Sequence, residues 1–235
     1  MAVQIPLSFP VREHTRLSGF TAGANDPCLN YLRELTAGKG EVISYLWGGA
    51  GAGKTHLLQA LCREMRDQGQ AVALLPCADA AQWQPAIFDA MENYDLLCLD
   101  DVHCLAGLPQ WEEALFHLIN RGREHRSHRL VLTADAPLQA LPLGLPDLAS
   151  RLAWGMVFQV HSLDDAGKAQ VLRARARSKG FDLGDDVVQY LFRYFARDMH
   201  SMCALLERID YASLAAQRRI TLAFVRQILG QDGPI

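Results

Sequence analysis

Apolar and polar positions divide this chain into two stretches with different rhythms. Before about residue 160, five short runs are apolar at nearly every position: 41–47, 71–76, 95–100, 129–133 and 156–160. Each is bounded by turn or helix signals, and continuous apolar runs of this length alternating with helices predict buried strands of a parallel sheet covered on both faces. Helical stretches are predicted over 27–36 and after residue 55, where Leu57, Leu58, Ala60, Leu61 and Cys62 continue the pattern.

After His161 the strands stop. Ser162 with Asp165 three residues on has the spacing of a helix cap, and 166–179 continues as a helix ended by Gly180. Residues 185–196 are apolar at Val188, Leu191, Phe192 and Phe195, and 199–217 and 221–229 complete a set of helices, the last with Thr221 as N-cap. The first 25 residues carry Pro6, Pro10, Gly19 and Gly23 without periodicity. The expected organisation is therefore an extended leader over 1–25, an α/β core over 26–161 and an all-helical unit over 162–235.

Composition narrows the class. Half of the 235 residues are hydrophobic, enough for a core plus a small appended unit. Six scattered cysteines without a C-x-x-C pair favour reduced thiols over a disulfide frame or zinc site. With no signal segment and no membrane-length apolar run, a cytoplasmic protein without membrane contact is expected. The net charge of −3 lacks the basic face that autonomous DNA binding requires.

The chemistry concentrates at Gly48-Gly49-Ala50-Gly51-Ala52-Gly53-Lys54-Thr55, a complete G-x-x-x-x-G-K-[ST] pattern between a predicted strand and a predicted helix. Glycines let the backbone wrap an anion, aiming the N–H groups of the loop and helix N-terminus at phosphates. The nucleotide-contacting stretch is expected to run from Gly49 to His56, with Lys54 on the β/γ-phosphates and the Thr55 hydroxyl on Mg²⁺. Asp100 and Asp101 end another apolar run, at the strand edge where open α/β sheets bind ligands. Asp100 is assigned to Mg²⁺ and Asp101 to the attacking water. A further polar group, Asp135 first and Thr133 second, would stand beside the γ-phosphate if its strand lies between the other two; the alternative is an Asp capping the turn before Pro137.

These motifs carry a resemblance. The stretch Asp95-Leu96-Leu97-Cys98-Leu99-Asp100-Asp101-Val102-His103-Cys104-Leu105-Ala106-Gly107 resembles the second nucleotide motif of the bacterial initiator family DnaA. Residues 144–155, Gly-Leu-Pro-Asp-Leu-Ala-Ser-Arg-Leu-Ala-Trp-Gly, are similar to the arginine-finger region of that family, and especially of its Hda group of DnaA-homologous regulators. The resemblance runs over nearly the whole chain. It implies an AAA+ P-loop αβα core with a five-stranded parallel sheet, a helical lid, adenine as the base, and Arg151 as a finger presented in trans. A forked, permanent guanidinium suits charge developing on a transferring phosphoryl group. Without the resemblance, Arg151 reads first as an internal ion pair with Asp147, four residues earlier.

Typical family members place a second-sensor arginine at the start of the third lid helix, where this chain has His200. A shorter, mostly neutral side chain tilts the expectation toward a stable ADP state over a fast ATP cycle, the plainer reading being a helix-flanking histidine. In the leader, Gln4-Ile5-Pro6-Leu7-Ser8-Phe9 is similar to peptides that dock on the replication sliding clamp, the β subunit of DNA polymerase III, with Gln4, Ile5, Leu7 and Phe9 as anchors. Arg12, His14, Arg16, Leu17 and Phe20 could wrap the nucleotide base, or Phe20 could be plain core. The basic run 121–129 reads as a solvated helix end and turn, or as a DNA or partner contact.

The function expected from all this is a regulator of replication initiation: docked on the DNA-bound clamp at the replisome, it stimulates ATP hydrolysis by DnaA through Arg151. The alternative is a self-assembling ATPase such as a helicase loader. A homodimer that buries Arg151 is compatible with either.

Overall fold

The computed structural model describes residues 16–125 and 128–230. Gln4, Ile5, Leu7, Phe9, Arg12 and His14 lie outside the described residues. The chain divides into two compact units, separated between Ser162 and Leu163.

In the first unit, strands β1 (Ile43–Trp47), β2 (Val72–Pro76), β3 (Leu96–Asp100), β4 (Arg129–Ala134) and β5 (Met156–Gln159) form one parallel sheet in the order β2-β3-β4-β1-β5. Helices α1 (Asp26–Thr36) and α2 (Lys54–Asp67) cover one face, and α3 (Pro109–His125) and α4 (Pro146–Leu152) the other. Successive strand residues point to opposite faces. Tyr45, Leu97, Leu99 and Leu132 accordingly enter the α3/α4 core, and Leu46, Leu96, Cys98 and Val131 the α1/α2 core. This is why the central strands read as unbroken apolar runs.

Two expectations are corrected here. The run at 156–160 reads as a buried strand, yet β5 is one of the sheet's two edges: it pairs with β1 alone and leaves Met156 and Val157 exposed. Residues 16–25 are not an extended leader. They form short 3-10 turns at Leu17–Gly19 and Gly23–Asn25, with Leu17 buried and its N–H donating to Glu64 Oε1 at 2.9 Å. Buried Asn25 ties this segment to the end of the sheet, donating to the His161 carbonyl at 2.9 Å and accepting its N–H at 2.7 Å.

The second unit packs α5 (Asp165–Ser178), α6 (Asp185–Tyr194), α7 (Met199–Ala216) and α8 (Leu222–Leu229) around Leu172, Leu191, Met202, Leu206, Ile209 and Val225. Thr221 caps α8, accepting from Phe224 N–H. The cap of α5 is Asp164, which accepts from Gly167 N–H at 2.7 Å, and not Ser162: the helix starts later than the sequence spacing indicated. No helix among the described residues is long and apolar enough to cross a membrane.

A candidate phosphate site with a held arginine

The loop between β1 and α2 is built for close approach. Gly53 has φ of 100°, a conformation open to glycine, and a Cβ there would meet Phe20 Cε2 at 2.8 Å. A Cβ on Gly48 would overlap the Val160 carbonyl. Lys54, the first residue of α2, is buried and donates to the carbonyls of Gly48 at 2.7 Å and Gly49 at 3.2 Å, spanning the cradle its own loop forms. Phe20 stands beside the loop, its ring centroid 5.8 Å from that of His56.

The sheet order brings the other groups together. Because β4 lies between β1 and β3, the ends of all three strands meet at one edge. The Thr55 hydroxyl donates to Asp100 Oδ2 at 2.7 Å, and the Thr133 hydroxyl donates to Asp100 Oδ1 at 2.5 Å. Thr133 also accepts the Asp101 N–H at 2.9 Å. A hydroxyl and a carboxylate side by side are hard oxygen donors of the kind Mg²⁺ takes alongside a substrate phosphate, so Thr55 and Asp100 fit that ion. With the glycine cradle and Lys54, the residues present fit a nucleoside phosphate.

Asp101 turns sharply off the strand with φ 58° and ψ 51°, a left-handed conformation that Asp tolerates better than most residues. Burial, reinforced by the Asp100 charge, raises its pKa above the ordinary value, against the pull of Lys54 and His103. Asp135 lies just past β4 and is more exposed; its carboxylate is 3.6 Å from His103 Nδ1, which is 3.9 Å from Asp101. That nitrogen is buried with no hydrogen-bond partner. Thr133, ranked second in the sequence, is the group in direct contact with Asp100, whereas Asp135 joins through His103. Sequence reasoning missed His103, although its place two residues after Asp101 put it on the turn leaving the strand.

Arg151 lies on α4 and has no ion pair with Asp147 among the described residues. Its guanidinium donates to Asn120 Oδ1 and lies 4.2 Å over the Phe116 ring and 4.8 Å from the Trp154 ring. Phe116 and Asn120, one turn apart on α3, and Trp154 were not anticipated; the i, i+4 pair on a helix face was the available signal. Buried Glu112 joins the same two helices, accepting N–H groups from Gly107 at 2.7 Å, Gly144 at 3.0 Å and Leu145 at 2.7 Å, just before α4. Of the basic run, Arg121 pairs with Asp89 at 3.2 Å and Arg129 donates to the Gly38 carbonyl at 2.5 Å. His200 is the second residue of α7, and its side chain lies outside what the structure describes.

The profile of the bacterial DnaA ATPase domain matches residues 36–159. This chain belongs to the DnaA family. The profile of the Hda lid domain matches residues 165–229, so a DnaA-type AAA+ core is followed by a lid of the Hda kind. Among solved structures, DnaA from Aquifex aeolicus bound to AMPPCP is similar at 22% identity, covering 87% of this chain and 68% of that one, with a TM-score of 0.73. Domain III of the Thermotoga maritima initiation protein DnaA is similar at 18% identity, with 94% and 98% covered and a TM-score of 0.79. A replication initiator DnaA bound to AMPPCP and single-stranded DNA matches at 22% identity over 88% and 69%, with a TM-score of 0.72. These likenesses are ones of fold.

Proposed function

We propose that the protein is a cytoplasmic regulator of replication initiation that gives Arg151 in trans to ATP-bound DnaA and promotes hydrolysis there. The observation that carries this reading is the state of Arg151: its guanidinium is held by two aromatic rings and an amide oxygen, with no carboxylate among the described residues to neutralise it, so its charge remains available to an incoming phosphate. The Hda-type lid supports the regulatory branch. Docking on the sliding clamp through Gln4, Ile5, Leu7 and Phe9 would bring the protein to replicating DNA.

In this reading an adenine nucleotide, ADP over ATP, lies along 49–56 with Mg²⁺ on Thr55 and Asp100, Phe20 near the base, and His200 in place of a second-sensor arginine. It acts as a bound ligand that biases conformation, not as fuel. Docking through residues 4–9, phosphate chemistry in the core up to residue 161 and the lid over 162–235 then fall to separate segments, with residues 16–25 belonging to the core. A homodimer that covers Arg151 would be the resting form.

The second reading, a self-assembling ATPase such as a helicase loader, draws on the Thr55–Asp100–Thr133 network and on Asp101, parts sufficient for hydrolysis in the protein's own site, with Asp135 near the γ-phosphate. The deciding experiment measures ATP turnover by DnaA, this protein, DNA-loaded clamp and ADP, together and separately, with wild type and Arg151→Ala. Turnover that needs the mixture and disappears with Arg151→Ala is expected. Equal turnover by this protein alone would overturn the regulator and leave the ATPase.

A further inference from the structure

Trp154 carries two cations. Its half-exposed ring has the Arg123 guanidinium 4.2 Å from the centroid as well as that of Arg151 at 4.8 Å. Arg123 comes from the last turn of α3 and Arg151 from α4, so two elements converge on one indole. Among the described residues, neither guanidinium has a carboxylate within ion-pair distance. Each cation is attracted to the ring, worth about 0.5–1 kcal/mol at an exposed site, but the two charges repel each other. An anion bound by both would relieve that repulsion. Two forked, flat donors on a shared aromatic platform match adjacent anionic oxygens, and a polyphosphate supplies these in series.

We propose that Arg123 is a second cation of the finger surface, held by Trp154 beside Arg151 and presented to the polyphosphate of a nucleotide bound in a neighbouring subunit. This rests on the reading of Arg151 as a finger given in trans. The two arginines have different tasks. Arg151, gripped by Phe116, Asn120 and Trp154, acts on the reacting phosphoryl group. Arg123, exposed and stacked on the indole, contributes to encounter and affinity. Trp154 sets the distance between them.

The test is binding and turnover with DnaA loaded with AMPPCP, ATP or ADP. Arg123→Ala should weaken binding to AMPPCP-loaded DnaA by about three- to tenfold and flatten its dependence on salt, as loss of a rim charge does. Maximal ATP turnover at saturating protein should stay near wild type. Arg123→Lys should recover part of the affinity, because it restores charge but not the flat stack. Trp154→Ala should lower both affinity and maximal turnover, and Trp154→Phe should restore them in part. With ADP-loaded DnaA, the Arg123→Ala penalty should shrink. An equal penalty in every nucleotide state would mean that Arg123 meets protein carboxylates, overturning the assignment to phosphate. Unchanged affinity in Arg123→Ala while Arg151→Ala abolishes turnover would sink this proposal and leave the finger intact. Full turnover in Arg151→Ala would sink the finger reading itself. Arg123 is exposed, so unfolding of the alanine variant does not obscure the result, and a melting curve checks this.

Discussion

Thr133 and Asp100 share a 2.5 Å hydrogen bond between adjacent strands, and the same hydroxyl accepts the Asp101 N–H. One side chain thus fixes one carboxylate and the backbone that carries the next. Thr133→Val keeps the shape but strands the Asp101 N–H and one Asp100 oxygen. The expected cost is about 1–3 kcal/mol of stability. Weaker Mg²⁺-dependent nucleotide binding should accompany it, read by melting curves and by titration with and without the ion. A variant with wild-type values in both would deny the hydroxyl this role.

Lys54 donates to two carbonyls of its own loop, contacts that a phosphate would replace. Lys54→Ala should leave the ligand-free melting temperature within a few degrees of wild type but remove the rise that nucleotide produces. For the wild type at a hundredfold excess over Kd, that rise corresponds to about 2.7 kcal/mol. Thermal shift with ADP checks it, and a persistent full shift would exclude the loop as the binding site.

A Cβ on Gly155 would overlap the Ile43 carbonyl, where the chain enters β5 beside β1. Backbone cannot step aside as a flexible side chain can. Gly155→Ala should therefore destabilise the first unit by about 1–3 kcal/mol or more. Urea unfolding followed by tryptophan fluorescence measures this, and a cost below about 0.5 kcal/mol would contradict the close approach.

Burial pushes the Cys28 thiol up to about 12 from its ordinary 9.0. The unfolded chain therefore loses this proton at lower pH than the folded one. The thiol's favourable contribution is complete below pH 9 and is lost between about pH 9 and 12, with a slope of at most about 1.4 kcal/mol per unit. Cys28→Ala should have a correspondingly shallower alkaline limb in urea unfolding at pH 8 to 10.5. Alkaline limbs of equal steepness would contradict the burial of this thiol. Cys77 and Cys98 are raised by the same cause and should resist alkylation in the native state, leaving exposed Cys104 to react first.

The parts of the site written as contiguous residues were legible in advance. The phosphate loop, Lys54, Thr55, and Asp100 with Asp101 each announce themselves by local spacing, and the central strands by unbroken apolar runs. What the sequence concealed depends on partners distant in the chain. Nothing near Arg151 says that it lies between Phe116 and Trp154, because α3 and α4 meet only through the fold. The contest between Thr133 and Asp135 turns on which of two neighbouring residues points across to β3, a question of strand register that composition does not answer. Edge and centre are similarly indistinct: Met156 and Val157 are as apolar as buried strand residues, and only the strand order reveals one open flank.

The interleaved strand order also has a consequence during synthesis. The polypeptide must emerge through residue 134 before the strand that separates β1 from β3 exists at all. Until then Thr55 and Asp100 have nothing to hold their ends in line, and a shortened chain has the loop but not the edge it works against. Central insertion of a late segment is a long-range closure and belongs to the slower events of folding. Ligand capture thereby doubles as a proof of completion, since a chain that grips its phosphate tightly has already assembled the middle of its sheet.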